Sequence, residues 1–453
     1  MSASSRKPSD TETHRTVARR SGPLNGAVTA PGDKSISHRS LILSALAKGE
    51  SRITGLLEGD DVLRTATSMR ALGASVERSG AGEWTVSGGA WATPEKSLYF
   101  GNSGTGVRLV MGAVAGAGVG ASFEGDISLR GRPMGRVLEP LRLMGVEADD
   151  HEGRLPVKIK TAENGLRAVE VKLASASAQV KSAILLAALG ASGQVRIHEP
   201  ILCRDHTERM LSAFGVELST EPDCENGRYI TMAGGQALSP CDVNVPGDPS
   251  SAAFAIAAAL IVPNSDVVVK GVLLNPLRTG LYQTLREMGA DLTFENQREE
   301  NGEEVADIRA RYSVLRGVEV PASRAPSMID EYPILAVVAA FAHGETMMTG
   351  LEELRVKESD RIASVETGLV ACGVDVVSGP DWLRVRGGST TPAMIGGATI
   401  KTHHDHRIAM SFLVAGLVSE QPIQIDDASM IATSFPDFIA QMISIGADIA
   451  QDK

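Results

Sequence analysis

Along this chain, apolar and polar positions fall into a pattern that returns about every 70 to 84 residues, the signature of a repeated structural unit. Six segments are apolar nearly all round: "SLILSALA", "VRLVMGAVAG", "VKSAILLAALG", "SAAFAIAAAL", "YPILAVVAAFA" and "IAMSFLVAGLV". A helix without a polar face has to be enclosed by protein, so each is expected to be a buried helix. Downstream of each lies an amphipathic stretch. Leu281, Leu285 and Met288, for example, are spaced i, i+4, i+7 and mark one helical face. These stretches end alike, in "ALGASV", "LMGVEA", "AFGVEL", "EMGADL", "ACGVDV" and "SIGADI". The glycine reads as a helix stop, because it enters the left-handed conformation that other residues avoid. Extended runs such as "VRIHEP", "DVVVKG" and "PIQIDD" separate the two helices, and hairpin-like sequence such as "SVERSGAGEWTVSGG" follows the second.

Six copies of this unit fill the chain beyond residue 22, and two features divide them three and three. "VTAPGDKSISHR" is echoed at 243–251 by "VNVPGDPSS", and the last unit ends without its closing strands. "LNGAVTA" (24–30) is available as a missing strand. The chain is therefore expected to begin in one domain (23–31 plus 247–453), build the other (32–246) and return, with hinges at the two PGD turns. Residues 1–22 are polar and are expected to form a disordered tail.

Composition narrows the function. With 43% hydrophobic residues but no apolar run of the roughly 20 needed to span a bilayer, no membrane role is expected. A net charge of −11 argues against a broad nucleic-acid surface, so a bound anion is expected to be small and held by local cations. Cys203, Cys224, Cys241 and Cys372 show no metal-ligand spacing, and a reducing, cytoplasmic setting is expected. His403, His404 and His406 cluster without the companions a metal site needs, so neither metal nor cofactor is expected.

The chemistry collects where the buried helices begin: "PGDKSISHR", "GNSGTGVR", "SASAQVKS", "PGDPSS", "PSMIDEY" and "HHDHRI". Helix N-termini present unpaired N–H groups and attract anions. Further cations precede the amphipathic helices: Arg130, Arg132 and Arg136, then Arg204, then Arg355, Lys357 and Arg361. Neither "GNSGTG" nor "GDKS" completes a nucleotide-binding fingerprint. Arginines beside Ser, Asn and Gln suit a small substrate with several phosphate or carboxylate groups, with Asp330 and Glu358 available for proton transfer. An acid such as Asp330 or Glu331 also commonly just caps the helix that follows.

The series "PGDKSISHRS", "GNSGTGVRL", "RPM", "SASAQVKSA", "RDHTE", "RVKESDR", "DHRIAMSF" and "TSFPDF" resembles the enolpyruvyl transferase family, specifically its branch acting on shikimate 3-phosphate. The resemblance implies an α/β fold: a two-domain inverse α/β barrel of six βαβαββ repeats, three per domain, closing on its substrates as a monomer. It implies transfer of the enolpyruvyl group of phosphoenolpyruvate to the 5-hydroxyl of shikimate 3-phosphate, with release of phosphate, in aromatic amino-acid synthesis. Lys34 then matches a group between both substrates. Ser35, Arg39, Ser177, Ala178, Gln179, Arg204, Asp330 and Lys357 match the shikimate 3-phosphate side. Gly104, Arg132, Gln179, Arg361 and Arg407 match the phosphoenolpyruvate side. Asp330 takes the role of base, and Lys34 and Glu358 that of acid. The family often carries a lysine where this chain has Thr433. Glycine at position 104 implies inhibition by glyphosate.

Two other readings compete. A sister enzyme transfers enolpyruvyl to UDP-N-acetylglucosamine, but usually with a reactive cysteine in a loop that here reads "LRGRPMGR". A non-catalytic phosphate or RNA-end binding protein on the same repeats fits poorly with an acidic pI near 5.4.

Overall fold

The computed structural model describes residues 14–161, 165–388 and 393–451. The six apolar segments form the helices Lys34–Leu46, Gly104–Gly116, Ala178–Ala188, Pro249–Ile261, Tyr332–Ala340 and His406–Gly416. Every residue of Pro249–Ile261 is buried, as a helix without a polar face requires. The helices pack in threes within two separate hydrophobic cores. One core gathers residues from Ile36 to Val245 and also Leu273; the other takes Ala18, Leu24, Val28 and Ala30 together with the remaining core residues from Ala252 onward. Each large apolar side chain so enclosed contributes roughly 1.5–3 kcal/mol. The helices approach closely: a Cβ on Gly112 would lie 2.2 Å from the Ala183 carbonyl oxygen, so only glycine fits that crossing.

The expected helix stops are where the sequence placed them. Gly73, Gly145, Gly215, Gly289, Gly373 and Gly446 all have φ between +83° and +111°. After each stop the chain enters a four-stranded sheet, and the six sheets share one order. A short edge strand lies parallel to the strand that follows the buried helix, and two further antiparallel strands complete the sheet. The unit is thus βαβαββ, in a two-domain α/β arrangement. No helix among the described residues is long and apolar enough to cross a membrane.

The N-terminus departs from expectation. Residues 1–13 lie outside the described residues, but Thr16–Arg19 is no tail: it is a strand between Ile423–Ile425 and Asp448–Gln451. It closes the sixth sheet, the role considered for 24–30. Asn25–Thr29 instead forms the parallel edge of the sheet that follows helix Pro249–Ile261. Four residues with partners at the other end of the chain leave no local signal, because their pairing energy comes from distant backbone groups. Val243–Asn244, in turn, edges the sheet that follows helix Lys34–Leu46. Each edge strand therefore leads into the helix of the other half. The two crossings lie side by side, with Asp33 N donating to Pro246 O (2.7 Å) and Asp248 N to Pro31 O (2.8 Å).

Candidate active site

The first turns of the buried helices are fixed by side-chain caps. Asp33 accepts from Ile36 N, Ser103 from Gly106 N, Ser177 from Val180 N, Asp248 from Ser250 N and Asp405 from Arg407 N. Each satisfies one of the orphan N–H groups of its helix. Helix Tyr332–Ala340 is the exception, without a side-chain cap, so Asp330 and Glu331 are free for other partners.

Asp330 lies at the centre of a ring of cations drawn from both halves. Arg204 Nη2 reaches Asp330 Oδ2 at 2.6 Å, Arg361 Nη1 reaches Oδ1 at 3.1 Å, and Lys357 Nζ lies 3.5 Å from Oδ1. Arg407 donates to its backbone carbonyl at 3.2 Å. Burial opposes ionisation, yet Lys357, Arg407, Arg204 and Arg361 together hold the carboxyl well below the usual carboxylate range. Glu358 is held the same way: burial is outweighed first by Arg361, at 2.6 Å, and then by Arg132, at 3.9 Å. Both acids are therefore carboxylates without ligand. Arg361 is almost fully committed, since it also donates to Asp405 at 2.8 and 3.3 Å. Of its five N–H donors, one on Nη1 remains.

Lys34, the first residue of its helix, pairs with Asp61, an acid the sequence reading passed over. Burial pushes the Asp61 carboxyl up, and the Lys34 ammonium pulls the other way. In the first turn of the helix Asp60–Ala71, "DD" looks like an ordinary N-terminal charge preference, so the sequence carried no signal for this pairing. Arg39 is 3% exposed and fixed by Thr207 Oγ1 (2.7 Å), Ser182 Oγ (2.7 Å) and the Ser35 carbonyl (2.9 Å). Burial lowers its pKa to about 10, leaving it a cation at neutral pH. Ser177 and Ala178 begin the helix that carries Gln179. The Gln179 amide donates to Thr105 Oγ1 (2.9 Å) and accepts from Arg108 Nη1 (2.8 Å). Arg108 belongs to the motif "GNSGTGVR", whose spacing does not reveal a role for it. It braces Gln179 while donating to the Gly104 and Pro133 carbonyls. Arg132 is aimed by Asn102 Oδ1 at 2.6 Å.

Other expected residues lie elsewhere. Arg130 pairs with Glu124 and Arg355 with Asp360, both away from the acids, and Arg136 bridges the halves through Glu353 at 2.9 Å. His406 is buried, whereas His403 and His404 occupy an exposed turn, so the three do not converge. Thr433 supplies no cation: its hydroxyl donates to Met430 O (2.7 Å) and lies 3.5 Å from His406 Nδ1.

Comparison with known proteins identifies the family. The family model for EPSP synthase (3-phosphoshikimate 1-carboxyvinyltransferase) matches residues 18–442. The 3-phosphoshikimate 1-carboxyvinyltransferase of Paracoccus denitrificans is 58% identical over 96% of this chain and 98% of its own length. That of Caulobacter vibrioides is 56% identical over 95% and 97%. The solved EPSP synthase of Acinetobacter baumannii superposes with a TM-score of 0.85 at 43% identity, covering 97% of this chain and all of that one. An enolpyruvyl transferase from Streptomyces tendae, 19% identical with a TM-score of 0.76, shares the fold. The chain belongs to the EPSP synthase (3-phosphoshikimate 1-carboxyvinyltransferase) family.

Proposed function

We propose that this protein transfers the enolpyruvyl group of phosphoenolpyruvate to the 5-hydroxyl of shikimate 3-phosphate and releases phosphate. The observation that carries the reading is the ring of Arg204, Lys357, Arg361 and Arg407 about Asp330, built from both halves. Such a ring suits two polyanionic substrates, and guanidinium pairs bidentately with phosphate and carboxylate alike. Ser35, Arg39, Ser177, Ala178, Arg204 and Lys357 hold shikimate 3-phosphate. Gly104, Arg132, Arg361 and Arg407 hold phosphoenolpyruvate, and Lys34 and Gln179 lie between. The domains, 32–246 and 16–31 plus 247–451, close on both.

The carboxylates then acquire distinct tasks. A hydroxyl becomes nucleophilic only as its proton leaves, and Asp330 takes it. Four cations make Asp330 a weak base before binding. Substrate anions then share those cations, and its basicity rises as the Michaelis complex forms. The carbon under attack becomes electrophilic as the neighbouring methylene gains a proton. Glu358 is ionised without ligand, so Lys34 delivers this proton while Glu358 steadies Arg361 and Arg132. The tetrahedral adduct expels phosphate as the methyl group returns a proton.

Phosphate release with phosphoenolpyruvate as donor tests this directly. Release is expected with shikimate 3-phosphate and not with UDP-N-acetylglucosamine; release with neither acceptor overturns the reading, and release only with the second favours the sister activity. A pure binding protein would instead show anion affinity without turnover.

Glyphosate is expected to compete with phosphoenolpyruvate. A Cβ on Gly104 would lie 2.8 Å from Arg132 Nη1 and 3.1 Å from Arg108 Nη1, so a methyl group there pushes on a phosphoenolpyruvate arginine. Because the arginine end must shift to make room, Gly104→Ala should raise the inhibitory glyphosate concentration by about tenfold, the equivalent of about 1.4 kcal/mol in affinity. Equal inhibition of the two proteins would remove Gly104 from this role. The same reading includes a cytoplasmic monomer.

A further inference from the structure

One hairpin breaks the uniformity of the repeats. The other four hairpins have strands of 4 to 6 residues, whereas Asp291–Glu300 has 10 and Glu303–Arg311 has 9. The extra length carries the tip onto the opposite half. Asn301 Oδ1 accepts from Asn244 N (3.0 Å), its Nδ2 donates to Asp242 O (3.1 Å), and Asn244 Nδ2 donates to Glu300 Oε2 (2.6 Å). Arg209 Nη1 donates to Gly302 O at 2.7 Å.

Just behind the tip, Glu303 is 3% exposed and enters a buried polar cluster. Its Oε1 pairs with His206 Nδ1 at 2.8 Å, and its Oε2 accepts from Asn275 Nδ2 at 3.0 Å. Asn275 also donates to Asp205 Oδ1 at 2.8 Å, and Arg209 to Asp205 Oδ2 at 3.0 Å. Arg278 Nη1 lies 3.4 Å from His206 Nε2 and reaches Asp33 at 2.7 Å, while its Nη2 reaches Asp248 at 3.0 Å. These two aspartates belong to the crossings between the halves. Arginine only donates, so His206 Nε2 accepts and Nδ1 carries its proton toward Glu303. The donor atoms of Asp205, His206 and Glu303 lie within 4.8 Å of one another, a spacing a metal would accept. Each is already engaged by Arg209, Asn275 or Arg278, so the cluster is complete without one.

The placement of this cluster gives it a consequence for the reaction. Asp205 and His206 directly follow Arg204, whose guanidinium pairs with Asp330 of the other half. The half that bears Asp330 therefore grips this segment twice, at Arg204 from the front and through Glu303 from behind. We propose that the long hairpin is a strap that sets the angle between the halves, with Glu303 and His206 as positioning residues for Arg204. The inference rests on the reading of Arg204 as a shikimate 3-phosphate contact. A binding group held out of register weakens its hold on the substrate it contacts, so a loosened strap should be visible in the KM for shikimate 3-phosphate.

Two variants of the full chain test it. Asn301→Gly removes the two anchors made by the Asn301 side chain and suits its φ of 51°, leaving the Asn244–Glu300 bond and the buried cluster intact. Glu303→Gln keeps the shape but removes the charge facing His206 and Arg209. Each should raise the ligand-free radius of gyration in small-angle scattering. Each should also raise KM for shikimate 3-phosphate about tenfold, with kcat and the KM for phosphoenolpyruvate little changed. In an Arg204→Ala background the KM effect of Glu303→Gln should vanish, which a generally destabilised fold would not produce. Folded variants with wild-type scattering and wild-type KM overturn the strap, and additive effects with Arg204→Ala overturn its link to Arg204. Should Glu303→Gln fail to fold, Asn301→Gly decides alone. Scattering needs no substrate, so failure of the wild type to use shikimate 3-phosphate would sink the functional reading and leave the strap still tested.

Discussion

Replacing Asp330 with asparagine should lower kcat by roughly a thousandfold, the middle of the range for a lost general base, while shikimate 3-phosphate binds as well as before or more tightly. The two effects differ in sign for one reason. In the ligand-free protein the Asp330 carboxylate is the shared counterion of Arg204, Arg361 and Lys357, at 2.6, 3.1 and 3.5 Å. A neutral amide frees those cations for the incoming phosphate but cannot take up the hydroxyl proton. The same loss of counterion leaves cations crowded together, so the ligand-free variant should melt earlier than wild type and regain the difference when shikimate 3-phosphate is added. Stopped turnover read against calorimetric binding checks both halves of the expectation. A variant within tenfold of wild-type kcat would remove Asp330 from the base role.

The second large effect is expected at Lys34. Lys34→Met should lower kcat by about a hundred- to ten-thousandfold, because the methylene proton then has no donor. The substitution also strips Asp61 of its partner in a buried pair, and breaking such a pair costs about 3–5 kcal/mol. Stability and catalysis must therefore be separated. Burial already pushes the Asp61 carboxyl up, and without the ammonium it is easily protonated. A second substitution, Asp61→Asn, should restore the thermal midpoint of Lys34→Met and leave kcat low. Recovery of turnover in the double variant would reduce Lys34 to a counterion for Asp61.

Both expectations depend on pairings that no reading of the sequence alone supplies. The motif around Asp330 was equally compatible with a helix cap. The family resemblance already offered it as a base, and the structure adds that the helix at Tyr332 has no side-chain cap and that the acid turns instead to Arg204 and Arg361. Arg108 sat in a motif singled out from the start, yet its function of bracing Gln179 is visible only once two helices 71 residues apart in sequence are seen side by side. Arg130 and Arg355 looked equivalent to Arg132 and Arg361 in the sequence. The fold gave the first two to Glu124 and Asp360 and turned the other two toward Glu358.

Taken alone, the sequence determined the repeating unit, its six buried helices, its six glycine stops and the polar residues that open each helix. All of these follow from local rules: hydrophobic periodicity, the left-handed freedom of glycine, and the orphan N–H groups of a helix start. The tertiary structure alone decided the exchange of edge strands between the halves, the return of Thr16–Arg19 to close the last sheet, the long hairpin that reaches Arg209, and which acid each cation serves. Those features are held by contacts between residues far apart in the chain. Their energy depends on where two distant segments meet, and neither segment carries a periodic pattern that names the other.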